Sequence, residues 1–327
     1  MAVRAVPVSV PGKLFLLGEY AVLGGGAALV TDVDRHIHVR PRGEAQGYRV
    51  EGAEMRDSLR LPILVKQVLA EVAGLEVDPN QLTVDVGEFY HDGAKLGLGS
   101  SAASTVALVT SMAPQLSAPR RFALAWEVHH RLQGGRGSGA DIAASTFGGP
   151  LAYHLTSPAP PFEDLKLPGV PVTDEAIEFD LAIVDQSLKF PQDLRIDAVW
   201  TGSPARSTSF VDGLARTLSS QPRTTQSTLQ SISSRARVGI QALRDGDTTR
   251  FIDAIRKGDR LMEQLGSLTG LPIITDTHRR IRALGTTTNR VAKPSGAGGG
   301  DFTLLIGKAD SPVPPSISKN FLVLNVA

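Results

Sequence analysis

Lys95-Leu-Gly-Leu-Gly-Ser-Ser-Ala-Ala-Ser104 is the stretch on which the reading of this chain turns. Gly97 and Gly99, on either side of Leu98, allow a tight turn and a close backbone approach to a ligand. Ser100 and Ser101 are good helix starters, and Ala102 opens a small, apolar run that predicts a helix over 102–110. A glycine-rich turn feeding a helix offers unpaired N–H groups and the positive end of the helix dipole, which together make an anion site. Lys95 adds a full charge just upstream. Two readings of this stretch stand side by side: a phosphate cradle, or a turn before a closely packed helix. It is not a Walker A loop, because G-x-x-x-x-G-K-[ST] is absent from it. Nor is it a dinucleotide fingerprint, because Ala102 stands where the last glycine is needed.

The composition sets bounds around that stretch. With 327 residues the chain is long enough for two domains. Hydrophobic residues at 42% and charged residues at 20% suit a globular protein with a real core. A formal net charge of +1 gives no broad attraction to nucleic acid or membrane. The absence of cysteine excludes disulfides and thiolate metal sites and fits a reducing cytoplasm. No signal-peptide core opens the chain, and no run of 18 apolar residues appears, so no membrane partner is expected.

Moving outward from the glycine loop, the upstream chain reads as a strand over 3–10, then Pro11-Gly-Lys-Leu-Phe-Leu-Leu-Gly-Glu-Tyr20. Lys13 reads first as a snorkelling lysine; Glu19 and Tyr20 are the other polar exceptions. His36 and His38 share one face of a strand over 35–40, which favours a solvated face over a metal site. A helix is expected over 59–73 and a strand over 81–86. Downstream, a helix over 119–132 leads into Gln133-Gly-Gly-Arg-Gly-Ser-Gly-Ala-Asp141. In that segment Arg136 and Gly139 accompany Ser138 and Asp141, which are spaced like a capping box. Strands are expected over 148–155 and 179–185, with a proline-rich loop over 157–171 between them. The domain boundary is placed between 178 and 179. Thr201-Gly-Ser-Pro-Ala-Arg-Ser-Thr208 reads as a polar turn, and 209–265 as helical in pattern, with a shorter helix over 277–284. Lys293-Pro-Ser-Gly-Ala-Gly-Gly-Gly-Asp301 precedes a strand over 302–306, and its glycines alone suggest a flexible connector. The last strand is expected over 321–326. No repeat of solenoid period is present.

Three of these segments together resemble the three motifs of the GHMP small-molecule kinases: Pro11-Gly-Lys…Gly-Glu-Tyr20, Gly97-Leu-Gly-Ser-Ser-Ala102, and Lys293 to Asp301. They stand in the family's order and spacing, so the resemblance covers nearly the whole chain. Further details resemble the phosphomevalonate kinase branch: Tyr20 after Glu19, Lys95 before the glycine loop, His129 through Asp141, Trp200 through Thr208, and Asp301 closing the last motif. There are departures. Leu132 replaces an alanine, and Gly135 replaces a lysine with Arg136 beside it. Arg206 is an extra residue. His130 occupies the place where mevalonate kinases keep a magnesium-binding glutamate, so that ligand does not carry over.

The resemblance implies a two-domain α+β GHMP fold. Its N-terminal domain (1–178) would be like ribosomal protein S5 domain 2 and would bind ATP; its C-terminal domain (179–327) would be ferredoxin-like. The implied activity is ATP-dependent phosphorylation of 5-phosphomevalonate to 5-diphosphomevalonate, with ATP and Mg2+ as cofactors. Mevalonate kinase is the alternative, and a non-catalytic GHMP-fold ligand sensor the alternative of another class. Lys13 and Asp141 would be catalytic. Lys95, Gly97, Leu98, Gly99, Ser100, Ser101 and Ala102 would hold the ATP phosphates, with Ser101 also on the metal. Glu19, Tyr20, Arg136, Ser138, Gly139, Arg206, Ser295, Gly296, Ala297 and Gly298 would bind the acceptor. The oligomeric state stays open, a homodimer included.

Overall fold

A computed structural model describes residues 4–42, 48–52, 60–79, 82–165, 167–170, 173, 176–205 and 207–327. Arg206, singled out above, lies outside the described residues. Contacts divide the chain into two compact units, Met1–Lys13 with Asp32–Gly148, and Leu14–Thr31 with Gly149–Ala327. The chain changes unit inside its first two strands, β1 (Val8–Leu17) and β2 (Ala28–Pro41), which pair with one another. The strand expected over 3–10 therefore starts later and runs through Pro11-Gly12. Gly12 serves close packing: a Cβ there would lie 3.0 Å from the Leu98 carbonyl oxygen and from the Phe89 ring.

In the first unit, His38–Pro41 of β2 pair antiparallel with β4 (Leu82–Asp85), which pairs parallel with β3 (Arg49–Glu51). Helices α1 (Arg60–Ala73), α2 (Ser100–Met112), α3 (Ala118–Leu132) and α4 (Ala140–Phe147) pack together. α2 is buried almost all round because its residues are small or aliphatic on every side, which marks a central helix. Just before it, β5 (Tyr90–His91) and β6 (Ala94–Lys95) form a short hairpin. Its turn residues Asp92 and Gly93 both have positive φ, 48° and 75°, as a type I′ turn requires. The Asp-Gly pair was a legible hairpin signal that the reading above passed over. His36 and His38 do share a face, with ring centroids 6.2 Å apart; the His38 ring meets the Glu88 carboxylate at 3.1 Å, and the same carboxylate accepts the His36 backbone N–H at 2.8 Å. Among the described residues, no group of three or more His, Asp or Glu could hold a metal ion.

In the second unit, Ala28–Val30 of β2 pair with β7 (Leu151–Leu155), which pairs with β9 (Ala182–Asp185) and through it β8 (Ala176–Glu178). A second sheet joins β10 (Leu194–Trp200), β11 (Val291–Pro294), β12 (Phe302–Lys308) and β13 (Val323–Asn325), all antiparallel, in the order β11-β12-β10-β13. Counted along the chain that order is the 4-1-3-2 of a ferredoxin-like sheet, as expected. β10, like the shorter β3, β5, β6, β8 and β11, was not expected from sequence. Arg195 and Asp197 interrupt its apolar pattern, yet Asp197 is buried between Arg195 at 2.9 Å and the fully buried Arg290 at 2.5 Å.

The long helical stretch resolves into α5 (Ser207–Ser220), α6 (Pro222–Arg244) and α7 (Thr248–Thr269). Pro222 opens α6, and Asp247 caps α7 by accepting the Arg250 N–H at 2.9 Å. α8 (Asp276–Thr286) and the short α9 (Pro315–Ser318) follow; α8 packs on β11 and β12 over a core of Val199, Ile281, Ala292, Leu305 and Ile317. Among the described residues, no helix is long and apolar enough to cross a membrane.

Candidate active site

The glycine loop in the first unit is built as an anion site requires. Gly97 and Gly99 adopt left-handed φ values of 87° and 79°, and Gly99 is the N-cap of α2. The first helical bond runs from the Ala103 N–H to the Gly99 carbonyl at 3.0 Å. The N–H groups of Ser100, Ser101 and Ala102 precede it, and no side chain caps them. Ser100 and Ser101 therefore begin the helix without capping it; their hydroxyls are not consumed by the cap.

Lys13 is fastened to this loop. Its N–H donates to the Leu98 carbonyl at 2.9 Å. A Cβ on Gly99 would lie 3.0 Å from Lys13 Cγ and 3.1 Å from Cε, so the lysine stem lies directly over the glycine. Only a residue without a side chain leaves room for that stem. Lys95 is exposed at the end of the β5–β6 hairpin.

Asp141 stands in the first turn of α4, but the expected capping box is absent. Gly139 takes the N-cap position with φ 70°, and no side chain caps the helix. A left-handed glycine at the cap puts Ser138 one residue too early. Its hydroxyl accepts the Ala140 N–H at 3.4 Å and not that of Asp141, while Asp141 accepts the N–H of Ile142 at 3.0 Å. α2 and α4 thus share one device, a left-handed glycine in place of a side-chain cap. Gly134, Gly135 and Gly137 are also left-handed in the loop that carries the exposed Arg136. His130, where a metal-binding glutamate would stand in a mevalonate kinase, stacks on Trp126 at 4.5 Å between ring centroids. The nearby Glu127 carboxylate is taken by Arg131 at 2.6 Å.

The second unit gathers the other singled-out residues. Three bonds pin the end of β1 to the last glycine-rich loop. The Phe15 N–H donates to Ser295 Oγ at 2.9 Å, Lys293 forms an ion pair with Glu19, and the Tyr20 hydroxyl donates to the Ala297 carbonyl at 2.5 Å. Glu19 is 3% exposed and Lys293 1%. Their pairing, with the Lys293 ammonium also donating to the Pro294 carbonyl at 2.8 Å, is what makes such burial tolerable. Tyr20 has φ 64°, a left-handed conformation a bulky residue seldom adopts without other contacts holding it. Burial first, and Glu19 beside it, hold its phenol well above the ordinary range, so the hydroxyl stays a donor. Lys293 was quoted in the motif above but given no role; a lysine within the apolar strand Val291–Pro294 was the available signal.

The glycines of that loop do not form a flexible connector. A Cβ on Gly298 would lie 2.4 Å from the Ile273 carbonyl, and one on Gly299 2.3 Å from the Phe210 ring. One on Gly300 would lie 2.5 Å from the Ser203 carbonyl. Gly296, at φ 71°, faces open space. Among the described residues, the N–H groups of Gly296, Ala297 and Gly298 find no acceptor.

Comparison with known proteins adds a separate line. Residues 68–149 match the family model described as GHMP kinases N terminal domain. The chain is 30% identical to a phosphomevalonate kinase of Streptomyces sp. (strain CL190), over 94% of this chain and 91% of that protein. It is 32% identical to a mevalonate kinase of Aeropyrum pernix over 46% of this chain and 51% of that one. A Streptococcus pneumoniae phosphomevalonate kinase, solved in complex with phosphomevalonate and AMPPNP, shares the fold with a TM-score of 0.74 at 20% identity. That alignment covers 96% of this chain and 94% of the other.

Proposed function

The chain belongs to the GHMP kinase family, and from that premise we propose that it is a phosphomevalonate kinase, transferring the γ-phosphoryl group of ATP to the phosphate of 5-phosphomevalonate. The observation that carries this reading is the likeness to the Streptomyces phosphomevalonate kinase along nearly the full length of both chains. Residues 1–178 would form the ATP-binding domain and 179–327 the second domain, in an enzyme of the cytoplasm.

Phosphoryl transfer is a matter of positioning and charge. The uncapped N–H groups of Ser100, Ser101 and Ala102, with the backbone from Gly97 to Gly99, are suited to hold the ATP phosphates, and Lys95 to offset their charge. The residues also fit Mg2+. The Ser101 hydroxyl is an oxygen not used by the cap, and this ion accepts few protein ligands beside phosphate and water. When bound, the ion would neutralise phosphate charge.

The acceptor is itself a phosphate, mostly ionised near neutral pH because its second pKa is about 6. It needs no base; it must be brought against another anion. Two unit charges about 4 Å apart repel by roughly 4 kcal/mol at an effective dielectric of ~20. Lys13, whose stem lies across the phosphate loop, would be the cation that offsets this. Asp141 would orient Lys13 or hold an acceptor hydroxyl. Arg136, with Ser138 and Gly139 beside it, offers a guanidinium fork for the acceptor phosphate, and Arg206 a second. Gly296, Ala297 and Gly298 supply backbone N–H groups, held in place by Ser295 and Tyr20. Glu19, whose carboxylate is buried, would serve the acceptor through its ion pair with Lys293 at the base of this loop.

The test is ADP release with 5-phosphomevalonate and with mevalonate at equal concentrations. The phosphorylated acceptor is expected to give the higher kcat/KM. A preference for mevalonate would replace this reading with mevalonate kinase, and turnover of neither would favour a silent sensor.

A further inference from the structure

Two loops leave the same end of the ferredoxin-like sheet, where Trp200 of β10 faces Phe302 of β12. One is 201–205, the first part of the polar turn expected over 201–208, whose last residues belong to α5; the other is the glycine loop ending at Asp301. They are joined almost wholly through Asp301. Its carbonyl accepts the Thr201 N–H at 2.8 Å and the Thr201 hydroxyl at 3.0 Å. Its N–H donates to the Ser203 carbonyl at 2.8 Å, and its carboxylate accepts the Ala205 N–H at 2.8 Å. Asp301 holds a left-handed φ of 54°, a conformation that Asp tolerates better than most residues. Gly300 has no room for a side chain against Ser203. With the loops so joined, the N–H groups of Gly202 and Ser203 find no acceptor among the described residues, like those of Gly296 to Gly298.

We propose that Asp301 is a positioning residue that sets affinity for the acceptor: by bonding both backbone and side chain to 201–205, it holds that loop against the glycine loop as a second set of N–H donors for the acceptor's anionic groups. The inference rests on the phosphomevalonate reading, whose acceptor carries a phosphate and a carboxylate and gains from such donors. The assignment is to the acceptor because Asp301 ends the loop whose Gly296, Ala297 and Gly298 N–H groups are assigned to it, and shares a compact unit with Glu19 and Tyr20. The loop that would hold the ATP phosphates belongs to the other unit.

Asp301→Gly and Asp301→Asn test it. Glycine adopts the left-handed φ without strain, so Asp301→Gly removes the carboxylate, and with it the bond to Ala205, while sparing the backbone; asparagine keeps both the conformation and the acceptor oxygen. Losing a charged hydrogen bond should raise KM for 5-phosphomevalonate about ten-fold or more in Asp301→Gly. The KM for Mg·ATP and the kcat should change less than about three-fold, and Asp301→Asn should restore most of the acceptor affinity. Thermal unfolding of each variant checks that the fold is retained. Unchanged acceptor KM in Asp301→Gly, or a parallel rise for both substrates, overturns the role of Asp301 while leaving the function standing. A wild-type enzyme that phosphorylates mevalonate and not its phosphate overturns both, and is seen before any variant is made.

Discussion

At the scale of single residues, Lys13 and Asp141 divide two mechanisms. If charge repulsion between phosphates is the barrier, Lys13→Met should lower kcat on the order of 10²–10³, as loss of a preorganised electrostatic stabiliser does. Asp141→Asn should also lower kcat, and raising the pH should not relieve the loss. Catalysis by a base predicts instead a wild-type kcat that rises with pH through an ionisation absent from Asp141→Asn. Measuring kcat against pH at saturating substrates, with chemistry rate-limiting, decides between them; an ionisation lost only in that variant would make Asp141 the base. Sequence made both residues visible for different reasons. Lys13 stood out as a charge in an apolar run, but its contact with Gly99 depends on a strand and a loop more than eighty residues apart. Asp141 invited the capping-box reading because Ser138 lies three residues before it; the left-handed φ of Gly139, which cancels that reading, is a backbone choice that letters do not display.

At the scale of elements, α8 carries a pH-sensitive cap. The Thr275 hydroxyl accepts the His278 N–H at 3.3 Å, and His278 Nδ1 accepts the Thr275 N–H at 3.2 Å. The ring fills the place usually held by glutamate or glutamine, and must keep Nδ1 unprotonated to do so. Burial, and then the Arg282 charge, bring its pKa down to about 4. An unfolded histidine titrates near ~6.5. Between those values the unfolded chain binds a proton that the folded one refuses, so stability is full above the unfolded value and falls as pH drops towards the folded one. The loss should approach about 3 kcal/mol by the lower end of that window. His278→Gln keeps an acceptor at this position and should flatten the dependence, as read from urea denaturation of both proteins between pH 7 and 4.5. If wild type and variant lose stability in parallel, the cap is not the titrating element. Helix periodicity made α1, α3 and α8 legible. β10 was not, because its alternation is broken by Arg195 and Asp197, and Arg290, which makes burial of the Asp197 carboxylate tolerable, lies 93 residues away in sequence.

At the scale of the whole molecule, the three motifs in register implied the fold before any coordinate, including the ferredoxin-like order of the second sheet. The interleaving of the compact units was not legible, because the changes at Lys13–Leu14 and Thr31–Asp32 fall inside β1 and β2, where nothing in the local sequence marks a break. That interleaving has a consequence for recombination. A crossover at 148/149 that brings in the C-terminal part of a mevalonate kinase would leave Phe15, Glu19 and Tyr20 from one parent facing the counterparts of Ser295, Lys293 and Ala297 from the other. A chimaera that also exchanges 14–31 keeps each pair within one parent. The second design should give soluble protein with a single cooperative melting transition, and the first should aggregate or melt broadly. Equal behaviour of the two would mean that the segment 14–31 travels freely between parents. For library construction, the heritable block is therefore not a contiguous stretch but a hairpin-sized insert together with a distant tail.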